Sequence, residues 1–228
     1  MKRRITAWMT AAWLVVTTAA SAQVVASTNQ LSNPSFEEPP PAEGAMVAGW
    51  DYYSTRTKGG GMVSGVGRTG QQCVNLEAQG VPNGGQGFVQ RASVVPGGTC
   101  TFCAYVKDSN DSPLGGSASV QLVIEWLNEA GREVARVSSP PGAEVSRLRW
   151  NQMCLSRVTV PNDAVRAVFG IHLYEGAEGG KGALFVDDMT LTCDSTAQSS
   201  YRPATAGPTG LTRRGTFRPP STWRQRHP

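Results

Sequence analysis

The sequence predicts an all-β protein, an antiparallel two-sheet jelly-roll sandwich that is followed by a disordered C-terminal tail. Eight short runs rich in β-branched and other apolar residues recur along the chain, over 71–78, 86–95, 99–107, 118–127, 133–138, 153–160, 165–174 and 183–192. Turn sequences such as Pro82-Asn83-Gly84-Gly85 and Pro96-Gly97-Gly98 separate these runs. No apolar pattern with a 3.6-residue period lies between them, and strands without crossover helices pack as an antiparallel sandwich or jelly roll.

Residues 1–22 have the features of a secretory signal peptide. They begin with basic residues, continue as an apolar run over 5–20, and end in small residues that favour cleavage before Gln23. We expect cleavage rather than a membrane anchor, because the apolar run is short and interrupted by threonines. No later segment is long and apolar enough to cross a bilayer. The sequence therefore predicts a secreted protein, extracellular or periplasmic, with no transmembrane segment in the mature chain.

A short leader over 23–30 and a β-sandwich domain over 31–194 precede a tail of different composition. Residues 195–228 are rich in Pro, Gly, Ser and Thr and have no apolar periodicity, which predicts disorder. The tail contains six arginines and no acid, whereas residues 23–194 contain 12 lysines and arginines against 17 acids, a difference of −5. We expect the basic tail to contact an anionic envelope polymer, and the alternative is a solvated tail without a dedicated partner.

Five cysteines follow the signal peptide, namely Cys73, Cys100, Cys103, Cys154 and Cys193. Export favours disulfides, and an odd number of cysteines leaves one free thiol, but the spacing leaves the pairing open. Cys100 and Cys103 have CxxC spacing. They lie in a strand-like run rather than at a helix start, and the sequence lacks a second pair of zinc ligands. We therefore expect structural bridges rather than redox or zinc chemistry.

The last strand-like run, 183–192, places an acid among apolar residues. Strict alternation puts Asp187 on the same face as Phe185, Met189 and Leu191. A buried ionised carboxylate is costly unless it is paired or holds a metal ion. A second acid-bearing stretch lies far upstream, over 31–38, and we expect these two ends of the domain to meet.

Alternation in three central runs separates an apolar face from a polar and aromatic face. The apolar sets, which we expect in the core, are Val120, Leu122, Ile124 and Trp126, then Phe102, Ala104 and Val106, then Ala167, Phe169, Ile171 and Leu173. The opposite sets carry side chains suited to sugars, since aromatic rings contact C–H patches and polar groups bond hydroxyls. We expect these side chains to project from one sheet face: Tyr105, Gln121, Glu125, His172 and Tyr174.

The order of several short motifs resembles that of jelly-roll carbohydrate-binding modules of the galactose-binding-like type. The motifs, spread over 31–192, are Asn33-Pro34-Ser35-Phe36-Glu37, Gly49-Trp50, Val94-Val95-Pro96-Gly97-Gly98, Phe102-Cys103-Ala104-Tyr105-Val106-Lys107, Ile124-Glu125-Trp126, Trp150, Val160-Pro161 and Val186-Asp187-Asp188-Met189-Thr190-Leu191. The resemblance implies a two-sheet jelly roll, a structural calcium ion near the joined chain ends, and sugar binding on the concave sheet or at the loops. The cysteines at 100 and 103 depart from the usual pattern.

The resemblance also implies roles for individual residues. Glu37 and Asp187 are the expected calcium ligands, and Asp188 is the less favoured choice because alternation turns it away from the core. The alternative is that Asp187 caps a turn or accepts backbone hydrogen bonds. A glycine-rich loop contributes a second set of binding residues, a rim formed by Tyr52, Tyr53 and Arg56, for which an ordinary exposed loop is the alternative.

These features predict a secreted, non-catalytic carbohydrate-binding domain whose partner is a polysaccharide or glycan. One alternative is a structural or adhesive cell-envelope protein that uses the same scaffold for protein contacts. The other is a small glycoside hydrolase in which Glu125 works with Glu175 or Glu77. Histidine-dependent triads are disfavoured because His172 and His227 are the only histidines. The glycine run at 59–61 lacks the lysine and serine of a phosphate loop, and we expect no nucleic acid partner.

Overall fold

The computed structural model describes residues 28–39, 46–55, 60–142 and 145–194. The predicted signal peptide, most of the leader, Arg56 and the basic tail lie outside these residues. The ten strands are β1 (Asp51–Ser54), β2 (Gly60–Ser64), β3 (Gln72–Gln79), β4 (Gly85–Ser93), β5 (Thr99–Asp108), β6 (Ser119–Leu127), β7 (Glu133–Ser138), β8 (Asn151–Thr159), β9 (Arg166–Tyr174) and β10 (Lys181–Cys193).

The strands form two antiparallel five-stranded sheets that pack as a sandwich. The first sheet has the order β1-β4-β9-β6-β7 and the second the order β2-β3-β10-β5-β8. All eight predicted strands are present with small shifts at their ends, and the predicted fold class is confirmed. No helix among the described residues is long and apolar enough to span a membrane.

Two strands were not predicted from the sequence. β1 and β2 are only four and five residues long, and each lies at the edge of its sheet. β1 has the sequence Asp-Tyr-Tyr-Ser and β2 begins with two glycines, so neither shows the apolar alternation that indicates a strand. Their pairing with β4 and β3 decides their conformation.

The core lies between the two sheets and consists of the apolar sets that alternation predicts. All eleven of those side chains are fully buried. Phe169 of β9 joins the sheets, since its ring centroid lies 5.6 Å from that of Phe102 and 6.2 Å from that of Trp126, both in edge contacts. The two sheets thus share one continuous core of aromatic and aliphatic side chains, which lies between their inner faces.

Two disulfides connect β5 to both of its neighbours in the second sheet. Cys100 bonds to Cys193 in β10, and Cys103 bonds to Cys154 in β8. Cysteines three positions apart on a strand point to opposite faces, so the CxxC pair forms two separate bridges. Cys73 is a free, buried thiol. Burial, together with the carboxylates of Asp187 and Glu37, raises the pKa of Cys73 to about 12, which leaves the thiol unreactive.

The two ends of the domain meet, as expected. The backbone N–H of Met189 donates to the carbonyl oxygen of Pro34 at 2.9 Å, and the side chain of Asn29 donates to the carbonyl oxygen of Met189 at 2.8 Å. The amide of Gln90 makes two hydrogen bonds to the backbone of Ser32, of 3.0 and 2.6 Å. The N-terminal segment is therefore fixed to strands of both sheets.

The predicted face of Asp187 is wrong, because β10 contains a bulge. The register between β10 and β5 shifts between Asp187 and Thr190, and Asp188 has a φ of 44°. An extra residue in a strand reverses the alternation beyond it. Asp187 consequently shares the outer face with Phe185, whereas Met189 and Leu191 point into the core.

Candidate functional site

The outer face of the first sheet carries most of the side chains predicted to contact a sugar. The strand register pairs Tyr53 of β1 with Gly87 of β4, Gly87 with His172 of β9, and His172 with Gln121 of β6. We call this surface the His172 face. Its outward polar and aromatic side chains include Tyr53, Gln121, Glu125, Arg136, His172 and Tyr174, and the charged side chains of Asp51, Arg91 and Arg166 lie farther along the same strands.

Three rings lie side by side on the His172 face. The ring centroid of His172 is 5.2 Å from that of Tyr53 and 5.9 Å from that of Tyr174, which is inclined to it by only 12°. The Tyr53 hydroxyl hydrogen-bonds to Nδ1 of His172. Burial and the nearby Arg136 lower the pKa of His172 to about 3, so the imidazole is neutral near pH 7. Burial raises the pKa of Tyr53, and its phenol is therefore the proton donor in this bond.

Glycines under the rings make this arrangement sterically allowed. A Cβ atom at Gly87 would lie 2.8 Å from Cε1 of Tyr53, and one at Gly170 would lie 2.6 Å from Nε2 of His172. Contacts this short force a neighbouring atom to move. The absence of these two side chains lets the aromatic rings lie across the backbone of β4 and β9.

A partly buried ion-pair network adjoins the rings. The Arg136 guanidinium lies 2.9 Å from Oε1 of Glu125 and also donates to both carboxylate oxygens of Glu133, each at 2.9 Å. Burial raises the pKa of Glu125, an effect that Arg136 opposes. The carboxylates of Glu125 and Glu133 thus share one guanidinium, and they neutralise its positive charge.

Side-chain exposure divides the His172 face into a lower and an upper layer. His172 and Glu125 are only 2 % and 6 % exposed. Tyr53, Gln121, Arg136 and Tyr174 are half-buried, so their outer atoms are accessible. A ligand on this face would therefore contact the four half-buried side chains, and His172 and Glu125 would lie beneath them.

One residue of the predicted rim, Tyr52, lies on the other face of its strand. Tyr52 points to the opposite side of β1, where its ring packs against Phe88 with centroids 5.1 Å apart and its hydroxyl donates to Oε1 of Gln86. Alternation explains this, since neighbouring strand residues face opposite sides. Arg56 lies outside the described residues.

Tyr105 is also separated from the His172 face, because β5 belongs to the second sheet. Alternation assigns a residue to a face of its strand, but it does not indicate which sheet the strand joins. The Tyr105 ring is covered instead by the Arg68 guanidinium, which lies 3.5 Å from the ring centroid. Arg68 in turn donates from Nη1 to Asp188 at 2.6 Å.

The predicted metal ligands lie where the two ends of the domain meet, and they contact the backbone of residues 68–72. Asp187 is fully buried and accepts backbone N–H bonds from Arg68 at 2.7 Å, Thr69 at 3.3 Å and Asp188 at 2.7 Å. Burial raises its pKa to about 6 despite these bonds. Glu37 accepts backbone N–H bonds from Gln71 at 2.9 Å and from the next residue at 2.7 Å.

The donor set partly fits a calcium ion. Glu37 and Asp187 supply the hard carboxylate oxygens that calcium prefers, and both lie close enough to Cys73 to raise its pKa. Asp188 is less suited, because Ser35, Thr69 and Arg68 already donate to its two oxygens. Among the described residues, no cluster of three or more His, Cys, Asp or Glu side chains is arranged for a metal ion. A calcium ion here would therefore need backbone carbonyl oxygens as well.

The carboxylate pairs suggested for a glycoside hydrolase do not come together. Glu125 is paired with Val168 across the sheet, and Glu175 lies seven positions beyond Val168 (175 − 168), roughly 20 Å along the strand direction. Glycosidase carboxylates lie about 5–9.5 Å apart. Glu175 instead accepts backbone N–H bonds from Gln79 and Val81. Glu77 is on the second sheet.

Arg136 was not among the residues predicted for the site. Its strand was predicted, and alternation along 133–138 already separates Arg136 from Val137. The sequence did not show which strand lies next to β7, and only the pairing of β7 with β6 brings Arg136 beside Glu125.

No family model and no curated protein sequence matches the chain. Several solved structures are similar. A cyclase from Fischerella sp. TAU is 13 % identical with a TM-score of 0.53, and the match covers 74 % of this chain and 98 % of the cyclase. The enzymatically active domain of tailspike protein 4 from bacteriophage CBA120 is 18 % identical with a TM-score of 0.50; the match covers 72 % of this chain but only 21 % of the phage chain.

Carbohydrate-binding modules are also among the similar structures. TmCBM61, solved in complex with β-1,4-galactotriose, is 18 % identical with a TM-score of 0.46, and the match covers 72 % of this chain and 98 % of that module. At these identities, the likeness to the cyclase and to the tailspike domain shows a shared fold and no more. The chain therefore has a two-sheet antiparallel jelly-roll sandwich, the fold class that its sequence predicts.

Proposed function

We propose that the protein binds a carbohydrate, without catalysis, on the His172 face. The observation that carries this proposal is the row of three contiguous rings, from Tyr53 through His172 to Tyr174, beside the amide of Gln121. Sugars bind where aromatic surface meets their C–H groups and a few fixed polar groups bond their hydroxyls. The resemblance of the sequence to carbohydrate-binding modules supports the same function.

The two layers of the face have different roles in this proposal. Tyr174 and Tyr53 supply ring surface, and Gln121 and Arg136 supply hydrogen bonds to hydroxyl groups. His172 and Glu125 are positioning residues, since they are buried and hold Tyr53 and Arg136 through the bonds described above. Preorganised side chains lose little conformational entropy on binding, which favours affinity for a flexible glycan.

We further propose that the ligand is an uncharged glycan. Arg136 is already paired with two carboxylates, and Arg91, also on this face, forms an ion pair with Asp51. A third arginine of this face, Arg166 at the start of β9, lies six positions from His172 and donates to the carbonyl oxygen of Glu129 at 2.8 Å. An anionic sugar near the rings would meet two arginines that are already paired with the carboxylates of Glu125, Glu133 and Asp51.

Titration calorimetry of the full chain tests the proposal. The ligands are soluble oligosaccharides of neutral β-1,4-linked sugars, with oligosaccharides of a uronic acid as the matched charged series. We expect saturable binding of at least one neutral series and none of the charged series. Equal binding of both series would contradict the charge argument. Failure of every glycan to bind would favour the alternative of an adhesive envelope protein that makes protein contacts through this scaffold.

The proposal also includes a structural calcium site and secretion of the protein. We infer that a calcium ion stabilises the joined chain ends through Glu37 and Asp187, because Asp187 is a buried carboxylate held only by backbone N–H groups in the described structure. Bound calcium would supply the positive charge that this carboxylate lacks. We also infer that the protein is secreted, since the two disulfides persist in oxidising compartments.

A further inference from the structure

A small cavity lies at the end of the sandwich where β5 ends and β6 begins. Its volume is about 150 Å³, and its lining includes Asp108, Leu114, Gly115, Ala118, Gly142 and Val145. None of the residues that define the His172 face lines this cavity. Nothing in the proposed sugar binding uses it.

The carboxylate of Asp108 is the notable group in this cavity. Asp108 is 6 % exposed, and its Oδ1 accepts the backbone N–H of Leu114 at 2.8 Å. Its own backbone N–H donates to the carbonyl oxygen of Ser146 at 3.1 Å, which fixes the end of β5. No lysine or arginine among the described residues forms an ion pair with this carboxylate.

The remaining lining is short and uncharged. Glycine and alanine contribute most of the wall, and Leu114 and Val145 add aliphatic surface. A Cβ atom at Gly142 would lie 2.9 Å from Cγ1 of Val120, so the wall is closely packed there. Asp108 is thus the one ionisable side chain in the described lining.

We propose that this cavity binds the protonated primary amine of a ligand such as an amino sugar, with only the part that carries the amine inside the cavity. A buried carboxylate is costly without a compensating charge, and an ammonium group offers three donors and a positive charge in a small volume. Pockets that enclose drug-sized ligands measure about 300–1,000 Å³, so this cavity takes one small group. A calcium ion is disfavoured because it requires six to eight oxygen ligands.

Titration of the full chain with glucosamine and with methylamine at pH 6 tests the inference. Glucose is the matched neutral compound, since it carries a hydroxyl in place of the amine. Chemical-shift changes in a nuclear magnetic resonance titration report binding. We expect saturable binding of both amines and at least tenfold weaker binding of glucose.

Two variants locate the site. Asp108→Asn keeps an acceptor for the N–H of Leu114 but removes the charge, and it should weaken amine binding at least tenfold. Asp111→Asn, which changes an exposed acid nearby, is the matched control and should bind amines like the wild type. Gly115→Phe fills the cavity while Asp108 stays, because a Cβ atom there has only one neighbour, the carbonyl oxygen of Pro113 at 4.0 Å.

The inference is overturned if neither amine shifts the signals of the cavity residues in the wild type, if glucose shifts those signals with the same affinity as glucosamine, or if both Asp108→Asn and Gly115→Phe retain wild-type affinity for the amines. If Asp108→Asn fails to fold, the result with Gly115→Phe decides. Glycan binding on the His172 face should be the same in all three variants, so the two proposals succeed or fail independently.

Discussion

The hydroxyl of Tyr53 hydrogen-bonds to Nδ1 of His172, and this contact joins the edge strand β1 to β9 across the intervening strand β4. It crosses above Gly87, where any larger residue would contact the tyrosine ring. The bond therefore fixes both the short edge strand and the ring surface that we propose for sugar binding.

Loss of this bond should lower stability. Tyr53→Phe leaves the buried Nδ1 of His172 without its donor, and we expect the free energy of unfolding to fall by about 1–3 kcal/mol. Urea denaturation measures the change. Tyr105→Phe, which removes the hydroxyl of a half-buried tyrosine on the other sheet, is the control and should cost less. Equal losses in the two variants would show that the Tyr53 bond has no special role.

Ring surface on the His172 face should determine sugar affinity. Tyr174→Ala is expected to weaken glycan binding by roughly 1–2 kcal/mol through the lost ring contact. Tyr105→Ala removes the same side chain from the second sheet and should leave affinity unchanged. Calorimetry gives the affinities, and circular dichroism confirms that both variants are folded. A larger loss in Tyr105→Ala would move the site to the other sheet.

Protonation of His172 should oppose folding in acid. Its folded-state pKa of about 3 lies below the ordinary value of 6.5. Between these values the unfolded chain takes up a proton that the folded chain does not. The wild type should therefore lose stability relative to His172→Gln as the pH falls from 6.5 towards 3, by at most about 1.4 kcal/mol per pH unit.

The comparison with His172→Gln separates this effect from that of Asp187. The pKa of Asp187 is raised to about 6, so its contribution has the opposite sign and favours folding as the pH falls through 6. Both proteins contain Asp187, and its effect cancels in their difference. Urea denaturation at several pH values gives the curves; parallel curves would mean that His172 titrates normally.

Calcium bound by Glu37 and Asp187, where the two ends of the domain meet, should stabilise the protein. A ligand that binds only the folded state adds about 2.7 kcal/mol at a hundredfold excess over Kd, so EDTA should lower the Tm at pH 7. Glu37→Gln and Asp187→Asn should remove the difference between calcium and EDTA. Glu178→Gln, at an exposed acid, should retain it. Identical melting curves of the wild type with calcium and with EDTA would refute a stabilising site.

The basic tail should bind anionic polymers in a salt-dependent way. Replacement of its six arginines by glutamine should weaken retention on an immobilised polyanion at low salt and have little effect at high salt. Exposed charges are screened beyond about 10 Å at 0.1 M salt, which explains the expected dependence. Equal retention of both proteins at low salt would favour a solvated tail without a partner.

Local patterns in the sequence were sufficient for the fold class, eight of the ten strands and the core. Strict alternation identified Trp126, Phe169 and Ile171 as core residues, because burial of one strand face is a property of each strand by itself. The same reasoning failed at β10, because the bulge at Asp188 arises from the pairing with β5 and cannot be recognised from the order of apolar and polar residues. It also missed β1 and β2, whose conformation comes from their neighbours.

In the three central strands β5, β6 and β9, the sequence by itself determined which side chains face outward, and only the tertiary structure decided which of them meet. Tyr105 and His172 have the same outward pattern, yet the order of the strands places them on different sheets. Arg136 reaches Glu125 because β7 pairs with β6, a contact between residues that no local pattern links. Strand order is set by the packing of the whole core, and a binding face built from several strands depends on that order.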